Sequence, residues 1–220
     1  GAGLGLKTSR VTQTAEEERY SLAFLPMNLE WDTSNDLLDP SRGGRLGMEA
    51  IPFLDVSGEG LDFIKNRARY ARYFQVSESP WVVLAGRATA GAISGAGRDE
   101  IPADERFYAG GGGSIRGYAY QSVGPYRDGN PVGGSSLLEL SLELRTKVSD
   151  RLGMVAFLDG GGVFKELNPD PEEELLWGSG LGFRYFTPIG PLRFDVGVPL
   201  DRREGIDDAF QIYVTLGQAF

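Results

Sequence analysis

The chain contains neither cysteine nor histidine among its 220 residues. These absences exclude disulfide bonds, thiol nucleophiles, histidine general bases and the zinc sites that such side chains form. Lys and Arg total 22 against 31 Asp and Glu, a net charge of -9, so the basic surface that nucleic acid binding requires is lacking. We therefore predict no cofactor, no metal site and no nucleic acid partner.

Long apolar runs and helical patterns are also scarce. No segment reaches the roughly 18 to 20 consecutive apolar residues that a membrane-spanning helix needs. Few segments place apolar residues at positions i, i+3, i+4 and i+7, the spacing of an amphipathic helix. Glycine, in contrast, is abundant, with 32 residues against roughly 15 expected at average usage.

Apolar and polar residues alternate through most of the chain. In the segment 136–145 (SLLELSLELR), every second residue is leucine, whereas Glu139 and Glu143 lie on the opposite face. The last twelve residues alternate in the same way and end in Phe220. Alternation of this kind predicts about ten antiparallel strands, at residues 3–12, 19–31, 44–55, 63–76, 81–95, 136–148, 151–164, 176–187, 190–200 and 209–220.

The length of the strands and the alternation of the turns favour a membrane barrel. The predicted strands have about 10 to 14 residues, against roughly 5 to 6 in soluble proteins. Short turns (77–79, 148–150, 187–190) alternate with long loops (96–134, 165–175, 201–208), which is the layout of outer-membrane barrels. We predict an all-β, antiparallel transmembrane β-barrel with its apolar face toward lipid and its polar face toward the lumen. From these patterns alone, a soluble barrel or sandwich with the apolar face inside is the alternative.

The connection 96–134 is far longer than a usual loop, so we predict that it is functional or folds back on the barrel. Its four consecutive glycines, 110–113, are not followed by the lysine of a phosphate-binding loop. Arg116 is an isolated cation among small and apolar residues, a setting typical of an arginine that pairs with a carboxylate. A flexible surface loop is the alternative interpretation.

Three segments together resemble the BamA/TamA superfamily, the outer-membrane assembly and translocation barrels also called surface-antigen or D-fifteen-type barrels. They are GGGGSIRGY (110–118), SLEL (141–144) and FLDGGGVF (157–164), and DTSNDLLDPSRGGRL (32–46) resembles the family's Asp-rich periplasmic turn. Within the superfamily, the amino-acid sequence around the first segment is most similar to the TamA branch. The resemblance assigns a loop motif to Ile115, Arg116, Gly117 and Tyr118 and a strand motif to Phe157, Asp159 and Gly161.

The resemblance also implies an architecture and a function. The family barrel has sixteen strands, so residues 1–220 resemble strands seven to sixteen, without the first strands and the periplasmic repeat domains. The implied function is insertion or secretion of other outer-membrane or autotransporter proteins through a lateral seam, with outer-membrane lipid, client proteins and a periplasmic or inner-membrane subunit as partners. The alternative is a passive outer-membrane pore or a barrel that exports one dedicated passenger.

By the same resemblance, the loop 96–134 enters the lumen and Arg116 pairs with carboxylates there. The period-two pattern independently places Glu143 and Asp159 on the lumen side of adjacent strands. Alternatively, Arg116 stays in water and the lumen charges are simply hydrated. Phe220 resembles the C-terminal signal of outer-membrane proteins. A hydrolase that works with two carboxyl groups needs their pKa values to differ, and nothing in the sequence pattern indicates such a difference. We therefore predict that the protein is not an enzyme.

Overall fold

The computed structural model describes residues 1, 3, 5–13, 16–56, 58, 60–167 and 175–220, and for residues 6, 8–13 and 16–20 it describes the main chain only. No helix in these ranges is long and apolar enough to cross a membrane. The strands are β1 (Gly5–Gln13), β2 (Glu16–Phe24), β3 (Met27–Asp32), β4 (Gly43–Asp55), β5 (Phe63–Glu78), β6 (Trp81–Ser94), β7 (Tyr126–Arg127), β8 (Asn130–Pro131), β9 (Ser136–Lys147), β10 (Leu152–Phe164), β11 (Leu176–Thr187), β12 (Gly190–Pro199) and β13 (Gln211–Leu216).

Eleven of these strands form one antiparallel sheet in the order β1-β2-β4-β5-β6-β9-β10-β11-β12-β13, with β3 also paired to β4. The remaining two, β7 and β8, form a small hairpin inside the long loop (residues 95–135). The prediction of an all-β fold with about ten antiparallel strands is confirmed. Within the described ranges no ladder joins β1 to β13, so the sheet has two edges.

The strand predicted at 19–31 is divided into β2 and β3. Both pieces pair with β4 in one continuous register, so the chain does not change direction between them. Pro26 and Pro52 lie at the gap, and proline has no N–H to donate to a ladder. Leu25 N–H donates to Pro52 O, and the reciprocal donor of this pair is the N–H that Pro52 lacks, whereas Pro26 faces the other side and accepts from Gly3 N–H. The missing Pro52 donor interrupts the pairing of what is otherwise one long strand.

The two faces of the sheet differ in polarity, and the polar face is the buried one. On β9, Glu139 and Glu143 are buried, whereas Leu142 and Leu144 are about half exposed, at 48% and 50%. The same inversion holds on β11, where Arg184 is buried and the neighbouring apolar side chains are exposed. A soluble sandwich has the opposite arrangement, and an outer-membrane barrel has this one. We call the polar face the inner face and the apolar face the outer face.

Apolar packing does occur on the inner face, where the long loop covers the sheet. The loop contributes residues such as Phe107, Ile115 and Val123, which pack against strand residues. The strand residues of this core include Leu22, Phe53, Phe63, Ile93, Leu137 and Val163. The loop and these strand residues therefore form an apolar core inside the sheet, which the strands alone would lack.

The last strand, predicted at 209–220, is present but shorter, and the prediction that Phe220 lies on its apolar face is wrong. The strand β13 ends at Leu216, and Gly217 has φ +90°, a left-handed conformation that ends the strand. Phe220 instead packs against Tyr73 on the inner face, with a ring distance of 6.4 Å. The guanidinium of Arg145 lies 5.2 Å from the Phe220 ring and also donates to its main-chain oxygen at 3.1 Å. Cation–π attraction and this hydrogen bond hold the ring inside.

The outer face yields a test of the membrane assignment. We expect Leu181→Arg, in the middle of β11, to lower the free energy of unfolding from lipid vesicles by about 2–4 kcal/mol, because a charge there lies in hydrocarbon. Tyr120→Arg, in the exposed part of the long loop, is the control and should change it by no more than about 0.5 kcal/mol. Equal, small effects of both substitutions would contradict the orientation of the two faces.

Candidate functional site

The candidate site forms where the long loop meets the inner face of β9 to β12. Arg116 in the loop is 1% exposed, and its guanidinium contacts two carboxylates that the sequence analysis placed on the lumen side. Its Nη1 lies 2.6 Å from Glu143 Oε1, and its Nε lies 2.6 Å from Asp159 Oδ2. Nη2 donates to the other Asp159 oxygen at 2.9 Å, which makes the pair bidentate. The structure therefore brings Arg116, Glu143 and Asp159 together.

Asp195 on β12 is a third carboxylate that contacts Arg116, and the sequence analysis did not predict this contact. Its Oδ2 lies 3.0 Å from Arg116 Nη1. Arg184 and Arg193 each contact Asp195 at 2.5 Å. Asp195 lies on the polar phase of the alternation in 192–200, so the pattern contained a signal for its orientation, although not for its partner.

Arg145 completes a group of seven ionised side chains, which we call the charge cluster. Its Nε lies 2.8 Å from Glu143 Oε2. The cluster consists of four arginines and three carboxylates, all at most 3% exposed: Arg116, Arg145, Arg184, Arg193, Glu143, Asp159 and Asp195. Burial alone would lower the pKa of Arg116, but its hydrogen bond to Asp159 and the attraction of the three carboxylates outweigh this effect and raise the pKa. Arg116 therefore stays charged.

Phe157 of the predicted strand motif lies directly beneath Arg116. The centre of its ring is 3.6 Å from Arg116 Cζ, so the guanidinium stacks on the aromatic face. Ser141 on β9 donates its hydroxyl to Asp159, which fixes the orientation of that carboxylate. The strand motif thus contributes both a counter-ion and a stacking surface.

Glycines on β11 and β12 let the loop main chain approach the sheet. A Cβ atom at Gly178 would collide with the carbonyl oxygen of Arg116, and one at Gly197 would lie 2.7 Å from the Gly117 nitrogen. At Gly180 it would lie 2.5 Å from the Phe157 ring. We call Gly178, Gly180 and Gly197 the glycine track. Only glycine at positions 178 and 197 leaves room for the docked loop, and only glycine at position 180 leaves room for the Phe157 ring on which Arg116 stacks.

Gly117 and Tyr118 attach the loop to the last strand of the sheet. Gly117 has φ +100°, and its N–H donates to the Tyr213 hydroxyl of β13 at 3.0 Å. The same hydroxyl donates to the Tyr118 carbonyl at 2.7 Å. The Tyr118 hydroxyl donates to the Trp177 carbonyl at 2.9 Å, and burial raises the pKa of Tyr118 to about 12. The sequence analysis did not identify Tyr213, which lies 96 residues from Gly117.

The remaining predicted positions also lie along the loop contact. Ile115 is fully buried, and its Cδ1 would lie 3.1 Å from a Cβ atom at Gly161. The tip of the loop is held through its carbonyl groups, because Arg193 donates to Gly112 O at 2.7 Å and Arg87 to Gly113 O at 3.0 Å. Phe220 lies apart from the loop motif, against Tyr73.

The chemistry of the cluster favours fixed attachment over proton transfer. Glu143, Asp159 and Asp195 each accept from at least one guanidinium, and these charge-assisted hydrogen bonds hold the three carboxylates in place. Among the described residues, no group of acidic side chains is arranged to hold a metal ion. The site is suited to holding the loop against the sheet.

Comparisons of the sequence and of the fold with known proteins gave results that agree with each other. The family model described as the Omp85 superfamily domain matches residues 5–220. The chain is 36% identical over 171 residues to the outer membrane protein assembly factor BamA of Nitratidesulfovibrio vulgaris, a match that covers 72% of this chain and 21% of that protein. The BamA of Neisseria meningitidis serogroup B is 25% identical over 222 residues, covering 85% of this chain and 27% of that protein.

Two further similarities extend the comparison. A SAM50-like protein of Schizosaccharomyces pombe is 24% identical over 187 residues, covering 79% of this chain and 39% of that protein. The crystal structure of BamA from Haemophilus ducreyi lacking POTRA domains 1–3 has the same fold, with a TM-score of 0.75 at 21% identity. The superposition covers 90% of this chain and 43% of that one. The chain thus spans less than half the length of the proteins that it matches.

The buried charges of the cluster give a large expected effect for one substitution. We expect Arg116→Ala to lower the free energy of unfolding by about 3–5 kcal/mol, because it leaves buried carboxylates without their counter-ion. The control is Arg42→Ala, which removes an exposed ion pair to Glu78 and should cost at most about 1 kcal/mol. Chemical denaturation in lipid vesicles measures both. Similar costs for the two variants would mean that Arg116 is hydrated rather than buried.

The glycine track can be tested without removing any charge. We expect Gly178→Ala to displace the loop, at a cost of about 1–3 kcal/mol, because the new methyl group overlaps the Arg116 carbonyl. Gly47→Ala on the inner face of β4 is the matched control, since a Cβ there meets no atom within 4 Å. Hydrogen exchange at the Gly117 and Tyr118 amides should accelerate in the first variant alone. Unchanged exchange in Gly178→Ala would refute the close contact.

Proposed function

The chain belongs to the Omp85 superfamily, and on this premise we propose that it assists the insertion or secretion of other outer-membrane or autotransporter proteins through a lateral seam. Its location is the bacterial outer membrane, in agreement with its similarity to two outer membrane protein assembly factors. An apolar outer face and a charged inner face are the surfaces that such a location requires. We propose a role in which the protein provides a surface for assembly and not a catalytic centre.

The observation that carries the proposal is the position of β13 at the edge of the sheet, connected to the loop motif. Within the described residues β13 pairs with β12 on one side and with no strand on the other. Gly217 N–H donates to Pro191 O in the β12–β13 ladder, and the partners in an antiparallel ladder alternate. The N–H groups of Ile212 and Val214 therefore point away from β12. They are available to an incoming strand.

An unpaired edge of this kind can template a client strand. Main-chain hydrogen bonds to an edge strand give affinity without demanding a particular sequence. In the proposed mechanism a client strand pairs with β13, and the sheet extends by one strand at a time. The Tyr213 hydroxyl keeps β13 against the docked loop during this step.

We propose that residues 1–220 are the C-terminal part of a larger barrel domain, in which residues 96–134 form the loop directed into the lumen. The two open edges of the sheet are consistent with this arrangement, since isolated long edges favour aggregation. The chain also spans 21% to 39% of the length of its named relatives. Phe220 would serve as the barrel signal read by the assembly machinery.

The partners of the whole protein are part of the same proposal. We expect outer-membrane lipid on the outer face, client outer-membrane proteins at β13, and a periplasmic or inner-membrane subunit at the short-turn end. The loop sequence GGGGSIRGYAYQSVGP (110–125) is similar to the TamA branch, whereas the bacterial relatives reported above are named BamA. Assignment to the TamA branch therefore stays a prediction.

The proposal is tested by client folding in vesicles that contain this protein. A urea-unfolded outer-membrane barrel should acquire heat-modifiable gel mobility faster in these vesicles than in empty ones. Val214→Pro should abolish the acceleration, because it removes an edge N–H, whereas Val214→Ala should retain it. Acceleration that persists in Val214→Pro would contradict templating by β13. A high, steady conductance with no effect on folding would favour the passive pore.

A further inference from the structure

A single arginine interrupts the apolar outer face of β5. Arg72 is exposed there between Tyr70 and Phe74, and its guanidinium lies 5.3 Å from the centre of the Phe74 ring. Among the described residues, it forms neither a hydrogen bond nor an ion pair with another side chain. A charged group on the lipid-facing side of a barrel is costly unless it reaches a polar partner. Since the protein supplies none, the partner must come from the surroundings.

The position of Arg72 along the barrel indicates where that partner lies. Arg72 pairs in register with Gly44, the second residue of β4. The β4 strand begins after the turn 33–42, at the same end of the sheet as the short turn between β5 and β6. Short turns mark the periplasmic side of an outer-membrane barrel. Arg72 therefore lies in the periplasmic half of β5, with Phe74 and Val76 between it and the turn. Its guanidinium extends over Phe74 toward that end, which is the direction of the lipid head groups.

A groove adjoins Arg72 on the outer face. Its floor is β6, where Gly86 and Ala88 present almost no side chain. Large side chains stand on the neighbouring strands, Tyr70 on β5 and Leu140 on β9 among them. Neighbouring strands lie about 4.8 Å apart, so these walls are roughly 10 Å apart. The cavity has a volume of about 440 Å³, within the roughly 300–1,000 Å³ typical of small-molecule sites.

The depression continues along β6 away from Arg72. The next outer-face residues, Ala90 and Ala92, are also small, and together with Ala68 and Met48 they line a second cavity of about 510 Å³. The two cavities follow one strand, with Arg72 at the end nearer the turn and with Asn66 and Arg67 in the lining of the second cavity. The mainly apolar stretch between these ends, with a positive charge at Arg72, matches a molecule with an anionic head and a long apolar tail.

We propose that this groove binds one anionic phospholipid, with its phosphate at Arg72 and an acyl chain along Gly86, Ala88 and Ala90. Arginine presents paired N–H donors that fit a phosphate group, and the ring of Phe74 restricts its side chain. The apolar walls continue the lipid-facing surface of the barrel, so the acyl chain enters without leaving the hydrocarbon phase. This proposal uses the outer-membrane location but does not depend on client assembly.

Native mass spectrometry of the delipidated protein, titrated with phosphatidylglycerol, tests the site. We expect one bound phosphatidylglycerol, with an apparent affinity at least about tenfold weaker in Arg72→Gln, because a hydrogen bond to a charged group is worth more than one factor of ten. Ala88→Leu should weaken binding by filling the groove. The matched controls are Arg151→Gln at another short turn and Ala156→Leu on the outer face of β10, both of which should bind as the parent does.

Equal binding by all five proteins would overturn the proposal, as would equal affinity of the parent for phosphatidylglycerol and for uncharged diacylglycerol. A dimer that excludes lipid and is lost in Ala88→Leu would overturn it in favour of a second copy of the chain. Heat-modifiable gel mobility identifies any variant that fails to fold, and the comparison of the two lipids requires no variant. Because no client is present, a negative result leaves the proposed assembly function untouched.

Discussion

Burial of the Arg116 guanidinium is the constraint on which the rest of the inner face depends. A buried charge is tolerated only when ionised partners and hydrogen bonds surround it, and desolvation offsets much of what their attraction contributes. Glu143, Asp159 and Asp195 meet this requirement from three different strands. Arg145 gives Glu143 a second counter-ion, and Arg184 and Arg193 do the same for Asp195. Asp159 instead accepts from the Ser141 hydroxyl in addition to Arg116. The cluster is therefore better understood as a specific attachment of the loop than as a source of net stability.

The glycines of β11 and β12 are required by the same burial of Arg116. The loop main chain can reach the carboxylates only if nothing stands between it and β11 and β12, and Gly178 and Gly197 leave that space empty. Because polar contacts occupy the inner face at this level, the main apolar core lies where the loop covers the strands, a smaller apolar cluster forms around Tyr73 and Phe220, and the outer leucines and phenylalanines stay exposed. Their burial must come from the hydrocarbon of the membrane.

The sequence was informative wherever the determining interaction is local. Strand alternation depends on neighbouring residues, and it assigned Glu143 and Asp159 to the polar face, where both are buried. The partnership of Asp195 with Arg116 and of Tyr213 with Gly117 spans 79 and 96 residues, so no local pattern indicates it. The inward turn of Phe220 depends on Gly217 and on the distant Arg145, and the gap between β2 and β3 becomes evident only when the register brings Pro26 and Pro52 together. Long-range register is what the alternation alone could not provide.

The connection between the loop motif and the sheet edge gives the charge cluster a role beyond packing. In β13 the side chain of Tyr213 faces inward to Gly117 and Tyr118, whereas the N–H groups of Ile212 and Val214 face the open edge. The inward contact and the outward donors therefore belong to successive residues of one short strand. A displaced loop would remove the support of β13 and leave a six-residue strand held by β12 alone. Docking of Arg116 would thus keep the edge extended, which the proposed pairing with a client strand requires.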